Sequence, residues 1–214
     1  MKIISTVWGI ALEILFPSKR AEKRVREMTL EDFLLLKKVS LDETNRIWSL
    51  FNYKNPLIRE AIWQMKYRRN RTIAKIFAEV LEEFLLEELS DLVLFENFEM
   101  PLLIPIPMSK EEKRKRGFNQ TEMLIEELAK LDTKTYEYDF NLLKKIKNTR
   151  RQVEVKKRER LENVKGAFSA DESVKNRNII LIDDVYTTGS TLNEAGRILK
   201  EAGAKKVFRL VIAH

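Results

Sequence analysis

Two adjacent carboxylates, Asp183 and Asp184, are followed closely by a hydroxyl-rich turn, Thr187, Thr188, Gly189, Ser190 and Thr191. Carboxylates accept hydrogen bonds from sugar hydroxyls and offer oxygen to hard cations such as Mg2+. Hydroxyls gathered around a glycine suit a phosphate, because a residue without Cβ lets the backbone approach an anion closely. A phosphate seat beside a pair of acids points to a phosphorylated pentose. An ordinary strand–turn–helix with capping threonines leaves the two adjacent acids unexplained.

The elements that hold these residues are legible on either side. Ile179, Ile180, Leu181 and Ile182 form the short apolar run of a buried strand. Leu192, Ala195, Ile198, Leu199 and Ala202 fall on one stripe and predict a helix over 192–202. A strand feeding a helix through a tight turn aims backbone N–H groups, and roughly half a positive charge, at one point. The stretch Asn178 to Thr191 resembles the phosphoribosyl-pyrophosphate (PRPP) motif of type I phosphoribosyltransferases. The resemblance implies that Asp183 and Asp184 hold the ribose 2- and 3-hydroxyls and organise Mg2+. It implies that Val185, Thr187, Thr188, Gly189, Ser190 and Thr191 bind substrate, the turn taking the 5-phosphate.

Composition sets the bounds. The chain has 214 residues, 34% charged and 44% apolar, as expected of a folded globular protein. It has no cysteine, and its one histidine is His214. Disulfides, thiolate nucleophiles and thiolate zinc sites are excluded, and a Ser-His-Asp triad or a histidine metal cluster is not expected. The formal charge of +7 favours a polyanionic partner, either a polyphosphate or nucleic acid. Ile3 to Phe16 is apolar but shorter than the roughly 20 residues that span a bilayer. No small-residue cleavage site follows it. It is expected to pack as a helix on the body or on a partner, and a cytoplasmic location without a membrane span is expected.

Asn55-Pro56 opens a helix with proline in its first turn, and Lys66, Arg68, Arg69 and Arg71 gather near its end. Ile73 to Leu89 reads as a second amphipathic helix. Leu102 to Pro107 reads as a strand stopped by two prolines, which cannot continue as a central ladder. Ser109 to Arg116 is basic, and Gly117-Phe118-Asn119-Gln120 leads into a helix over Thr121–Lys130. Asn141 to Ile146 suggests a short strand, Lys144 to Arg160 a basic and partly exposed loop, and Lys206 to Ala213 the last strand. A sheet of this kind needs about five strands, so another is expected, near Gly166 to Ser169.

In order, Tyr53–Arg71, LLIPIP with RKRGFNQ, NTRRQVEVKKRERLENVKGAF and the PRPP motif resemble the ComF family. These are competence-associated, phosphoribosyltransferase-like proteins. ALEILFPSKR resembles that family's apolar lead-in. The family commonly carries a cysteine zinc ribbon after that lead-in. Here Lys19–Leu50 has no cysteine or histidine, so zinc is not expected. That stretch is expected to be helical, with Phe33, Leu34, Leu36, Val39, Ile47 and Leu50 as core contacts. The expected organisation is a helical N-terminal region, 1–50, and a phosphoribosyltransferase-like domain, 51–214, with a mostly parallel sheet flanked by helices. By the resemblance, Ser109 and Lys110 face the pyrophosphate. Arg150, Arg151 and Gln152 belong to a loop closing over the reaction centre, with Arg150 and Arg151, together with Asp183 and Asp184, as catalytic candidates. Lys66 and Arg68 are weaker candidates.

Two function classes stay open. One is a Mg2+-dependent transfer of the phosphoribosyl group from PRPP to an unidentified nucleophile. The other is a non-catalytic adaptor in DNA uptake that contacts single-stranded DNA or a competence helicase, with PRPP as a regulatory ligand. Trp8, Trp48 and Trp63 do not interleave with the basic runs along the sequence. Oligomeric state is not legible.

Overall fold

The computed structural model describes residues 19–42, 44, 46–131, 134–147 and 164–214. Two short helices come first, α1 (Lys19–Glu27) and α2 (Leu30–Leu36). Strands β1 (Ser40–Asp42) and β2 (Ile47–Phe51) follow, then α3 (Pro56–Arg68) and the long α4 (Arg71–Glu96). Next come β3 (Leu102–Pro105), α5 (Lys110–Arg116) and α6 (Gln120–Leu128), then β4 (Glu137–Tyr138), β5 (Leu143–Lys145) and β6 (Phe168–Ala170). The chain closes with β7 (Asn178–Val185), α7 (Ser190–Glu201) and β8 (Lys206–Ala213).

Six strands form one sheet in the order β1-β2-β8-β7-β3-β4, and β5 and β6 form a separate antiparallel pair. Within the large sheet only the β1–β2 pairing is antiparallel. The α/β, mostly parallel architecture expected from sequence is therefore present. Each face is covered, as parallel sheets require. On one face α2, α3, α4 and α6 pack over Ile180, Ile182, Phe208, Leu210 and Ile212. On the other, α7 and the β5–β6 pair pack over Ile179, Leu181, Val207 and Val211.

The N-terminal region differs from its expectation. It is helical as far as α2, but its end supplies two strands of the main sheet. Ile47, Trp48, Ser49, Leu50 and Phe51 are all buried, so no period-two alternation marks them in the sequence. Trp48 stacks on Phe208 of β8 at 4.7 Å. Phe33 of α2 meets Phe77 of α4 edge-on at 5.4 Å and also packs against Phe51. Ile47 and Leu50 are buried with Phe33, Leu34 and Leu36 are partly so, and Val39 is 41% exposed rather than in the core. The Ile3–Phe16 expectation lies outside the described residues.

β3 stops at Pro105 as expected, and up to that point it lies inside the sheet between β7 and β4. Pro105 aligns with Ile182 on one side, while β4 pairs only with Leu102 and Leu103 on the other. The missing proline N–H thus falls beyond the β4 ladder, and Ile106 resumes bonding to Ile182 at 2.9 Å. α4 runs past Leu89 because Asn97, left-handed at φ 51°, caps it only after Glu96.

Asn55 caps α3, its side chain accepting the Leu57 N–H at 2.9 Å. Asn55→Ala is expected to lower stability by about 1 kcal/mol, read as a shift of the urea midpoint at constant slope. An unchanged midpoint would show that the cap contributes nothing.

Candidate functional site

Parallel strands β2, β8, β7 and β3 all end at one edge of the sheet, where ligands of α/β proteins sit. Alternation along β7 sends Asp183 and Asp184 to opposite faces. Asp184 faces the α3–α6 side and is 4% exposed. Lys66 Nζ reaches its Oδ1 at 2.8 Å, and Gln120 Nε2 donates to its Oδ2 at 2.6 Å. Burial disfavours the Lys66 ammonium, but the Asp184 contact outweighs this, with help from Asp183 and Tyr53, and the lysine pKa is raised.

Asp183 is the more open acid. Its Oδ1 accepts the Asp184 N–H at 2.8 Å, and it lines the recess of the following turn. Burial and the adjacent Asp184 charge push its carboxyl above the ordinary range, partly offset by Lys66 and Lys145. Lys145 belongs to β5 and also meets Glu112 at 3.1 Å.

The turn from Val185 to Thr191 encloses a small recess of about 40 Å3. Gly189 stands at φ 70° and caps α7 without a side-chain hydrogen bond. The first N–H groups of the helix are therefore left to an anion or solvent. Thr188 Oγ1 and Ser190 Oγ lie 3.0 Å apart across the turn. A Cβ on Gly189 would come within 2.4 Å of the Tyr186 ring. Gly189→Ala is expected to cost about 1–2 kcal/mol from the left-handed backbone alone. It should also weaken binding of ribose 5-phosphate by moving Tyr186. Wild-type melting and affinity in this variant would refute the reading of the turn.

Asp183, Asp184, Val185 and the residues of the 187–191 turn are thus brought to one edge. Ser109 stands at the end of the β3 connection, but its hydroxyl accepts the Glu112 N–H at 3.2 Å and its own N–H bonds the Glu112 carboxylate at 3.1 Å. This capping box occupies the hydroxyl expected to face a pyrophosphate. Lys110 is exposed on α5. Arg150, Arg151 and Gln152 lie outside the described residues. Lys66 is part of the acid pair's surroundings, whereas Arg68 is not, being bonded to Glu22 and set over Trp63. Gln120 and Lys145 were not singled out from sequence. Gln120 carried a weak signal as the last residue of GFNQ, and Lys145 none.

Among the described residues no group of three or more His, Asp or Glu could by itself hold a metal ion. Each carboxylate oxygen of Asp184 already accepts one contact, which leaves Asp183 as the more available oxygen donor of the pair. That suits Mg2+, which keeps several waters and commonly combines one or two carboxylates with substrate oxygens.

A second surface lies at the end of α3. Arg68 sits over Trp63 at 5.1 Å, Arg116 over Tyr67 at 5.2 Å and Arg69 over Phe118 at 5.5 Å. Tyr67 is 53% exposed. Cations and aromatics thus do interleave in space, although they come from α3, α5 and the turn before α6.

The family profile described as "Phosphoribosyl transferase domain" matches residues 115–214. The chain is 35% identical over 109 residues to Competence protein F of Haemophilus influenzae, covering 49% of this chain and 46% of that protein. It is 34% identical over 155 residues to Competence protein ComFC of Bacillus subtilis, covering 72% and 58%. With the DNA utilization protein YhgH of Salmonella typhi it shares 30% identity over 165 residues, covering 76% and 69%. It spans about half the length of the Haemophilus protein.

Proposed function

The chain belongs to the ComF family, and from that premise we propose that it binds PRPP at the β7–α7 edge in the service of DNA uptake or utilisation. The observation that carries this reading is the start of α7, which no side chain caps, beside the more open Asp183 carboxylate. The turn takes the 5-phosphate through backbone N–H groups and the hydroxyls of Thr187, Thr188, Ser190 and Thr191. Asp183 accepts from the ribose hydroxyls and, with the ligand's own oxygens and water, would hold Mg2+, which would supply charge neutralisation at the pyrophosphate. Asp184 acts through its contacts rather than by touching ligand, fixing Lys66 and Gln120 beneath the sugar. Lys145 and Lys110 add positive charge on the pyrophosphate side, where it lowers the energy of a leaving anion.

Calorimetric titration of the folded chain with PRPP, with and without Mg2+, tests this. Saturable heat that strengthens with Mg2+ is expected. No heat from a folded sample would overturn it.

The adaptor reading is favoured by the Arg–aromatic surface at the end of α3, which fits base stacking and phosphate contact by a single strand. Gel-shift titration at two salt concentrations separates it, since phosphate contacts weaken steeply with salt. Single-strand binding lost on Tyr67→Ala with PRPP binding retained would assign the DNA to that surface.

A further inference from the structure

The β7–α7 edge and the Arg–aromatic surface are joined by one side chain. Arg116, the last residue of α5, lies over the Tyr67 ring at 5.2 Å. The same guanidinium donates to Gln120 Oε1. Gln120 opens α6, is 7% exposed, and turns its Nε2 to Asp184 Oδ2 at 2.6 Å. Asp184 Oδ1 meets Lys66 at 2.8 Å, and Lys66 directly precedes Tyr67 in the last turn of α3. The contacts close a ring, Asp184–Gln120–Arg116–Tyr67–Lys66. One end of it is a carboxylate of the ligand edge, and the other is an exposed aromatic. Arg69 adds a second tie, since Phe118, under its guanidinium, stands two residues before Gln120.

Arg116 has a better partner available than Gln120. A phosphate offers a guanidinium two charged oxygens in the fork geometry it favours. Gln120 offers one neutral amide oxygen. Without Arg116, that oxygen stays buried and loses its cationic donor, which is costly. The amide then turns to find water, and its Nε2 leaves Asp184.

We propose that this ring makes the two surfaces antagonists: a single strand seated on the Arg–aromatic surface draws Arg116 onto phosphate, releases the Gln120 amide and so weakens PRPP at the β7–α7 edge. This rests on the reading of that edge as the PRPP site. Asp184 keeps Lys66 but loses the oriented Gln120, so the groups beneath the sugar no longer hold fixed positions. Coupling of binding free energies is reciprocal, so PRPP loosens the strand by the same factor. Arg116 is a contact for the strand and a positioning residue for the PRPP site.

The test is calorimetry of the full chain with PRPP and Mg2+, alone and with rising amounts of a thymidine oligonucleotide of about twelve nucleotides, the scale of a single-strand site. PRPP affinity is expected to fall about fivefold to tenfold and then level off as the strand saturates. Fluorescence anisotropy of the labelled strand should show the same factor when PRPP is added. Arg116→Lys keeps a cation but loses the planar fork that spans Gln120 and Tyr67. Without strand, this variant should bind PRPP as weakly as the strand-saturated wild type, and strand should weaken it no further. Circular dichroism confirms that it folds. A strand effect that survives in Arg116→Lys, or a variant that binds PRPP like wild type, overturns the inference. PRPP affinity that keeps falling in proportion to strand concentration marks one shared site and overturns it too. Two ligands that bind without affecting one another, or no strand binding at all, overturn the coupling and leave the PRPP reading standing. No PRPP binding to the folded wild type overturns both.

Discussion

Lys66→Met is expected to lower the stability of the folded chain by about 3 kcal/mol, the low end of what breaking a buried ion pair costs. Asp184 stays buried in the variant, its side chain 5% exposed, with only Gln120 left to bond it. The low end applies because the Lys66 side chain keeps 23% exposure, and water entering there softens the loss. Asp184→Asn in the same background should recover most of the stability, since an amide needs no counter-charge. The single Asp184→Asn variant strands the lysine instead and should be destabilised as well. Urea titration measures all three, with a shifted midpoint at constant slope as the signature. A Lys66→Met protein that unfolds like wild type would remove the ion pair from the account of the site.

Asp183→Asn should behave in the opposite way. One charge-assisted hydrogen bond contributes about 1.5–3 kcal/mol, so PRPP affinity is expected to fall about tenfold to a hundredfold. Stability at neutral pH should hold or rise. Burial and the Asp184 charge raise the Asp183 carboxyl pKa in the folded chain. A carboxyl raised in this way favours the fold while protonated, and that contribution is lost as pH climbs through its folded value. Asparagine keeps the uncharged form at every pH. Calorimetry and thermal melting read the two effects separately. Unchanged affinity together with a lower melting temperature would make Asp183 structural rather than a ligand contact.

The strand–acids–turn–helix order was legible because its signals are local. A four-residue apolar run, two acids, a glycine at positive φ and a helical stripe lie within one short stretch. What surrounds Asp184 was not legible. Gln120 and Lys66 are set beside it by the packing of α6 and α3 on the sheet, far away along the chain. β2 escaped because both its faces are buried, which erases the alternation that marks a half-exposed strand. The Arg–aromatic surface was hidden for a related reason. Arg116 finds Tyr67, and Arg69 finds Phe118, only after α3 and the α5–α6 segment have met.

The order of the strands also governs when the site can exist. β2 is made early, yet its parallel partner is β8, at the opposite end of the described chain. The inner strands β7 and β8 are synthesised after the other strands described, and sheet pairing between distant segments is the slow part of folding. A growing chain therefore leaves the ribosome with Trp48, Leu50 and Phe51 lacking the strand they pack beside, and such surface is prone to aggregate. The 187–191 turn and the two acids before it are set in place in the same late step that covers those side chains. Ligand binding can thus report that synthesis has passed β8 and that the sheet has closed.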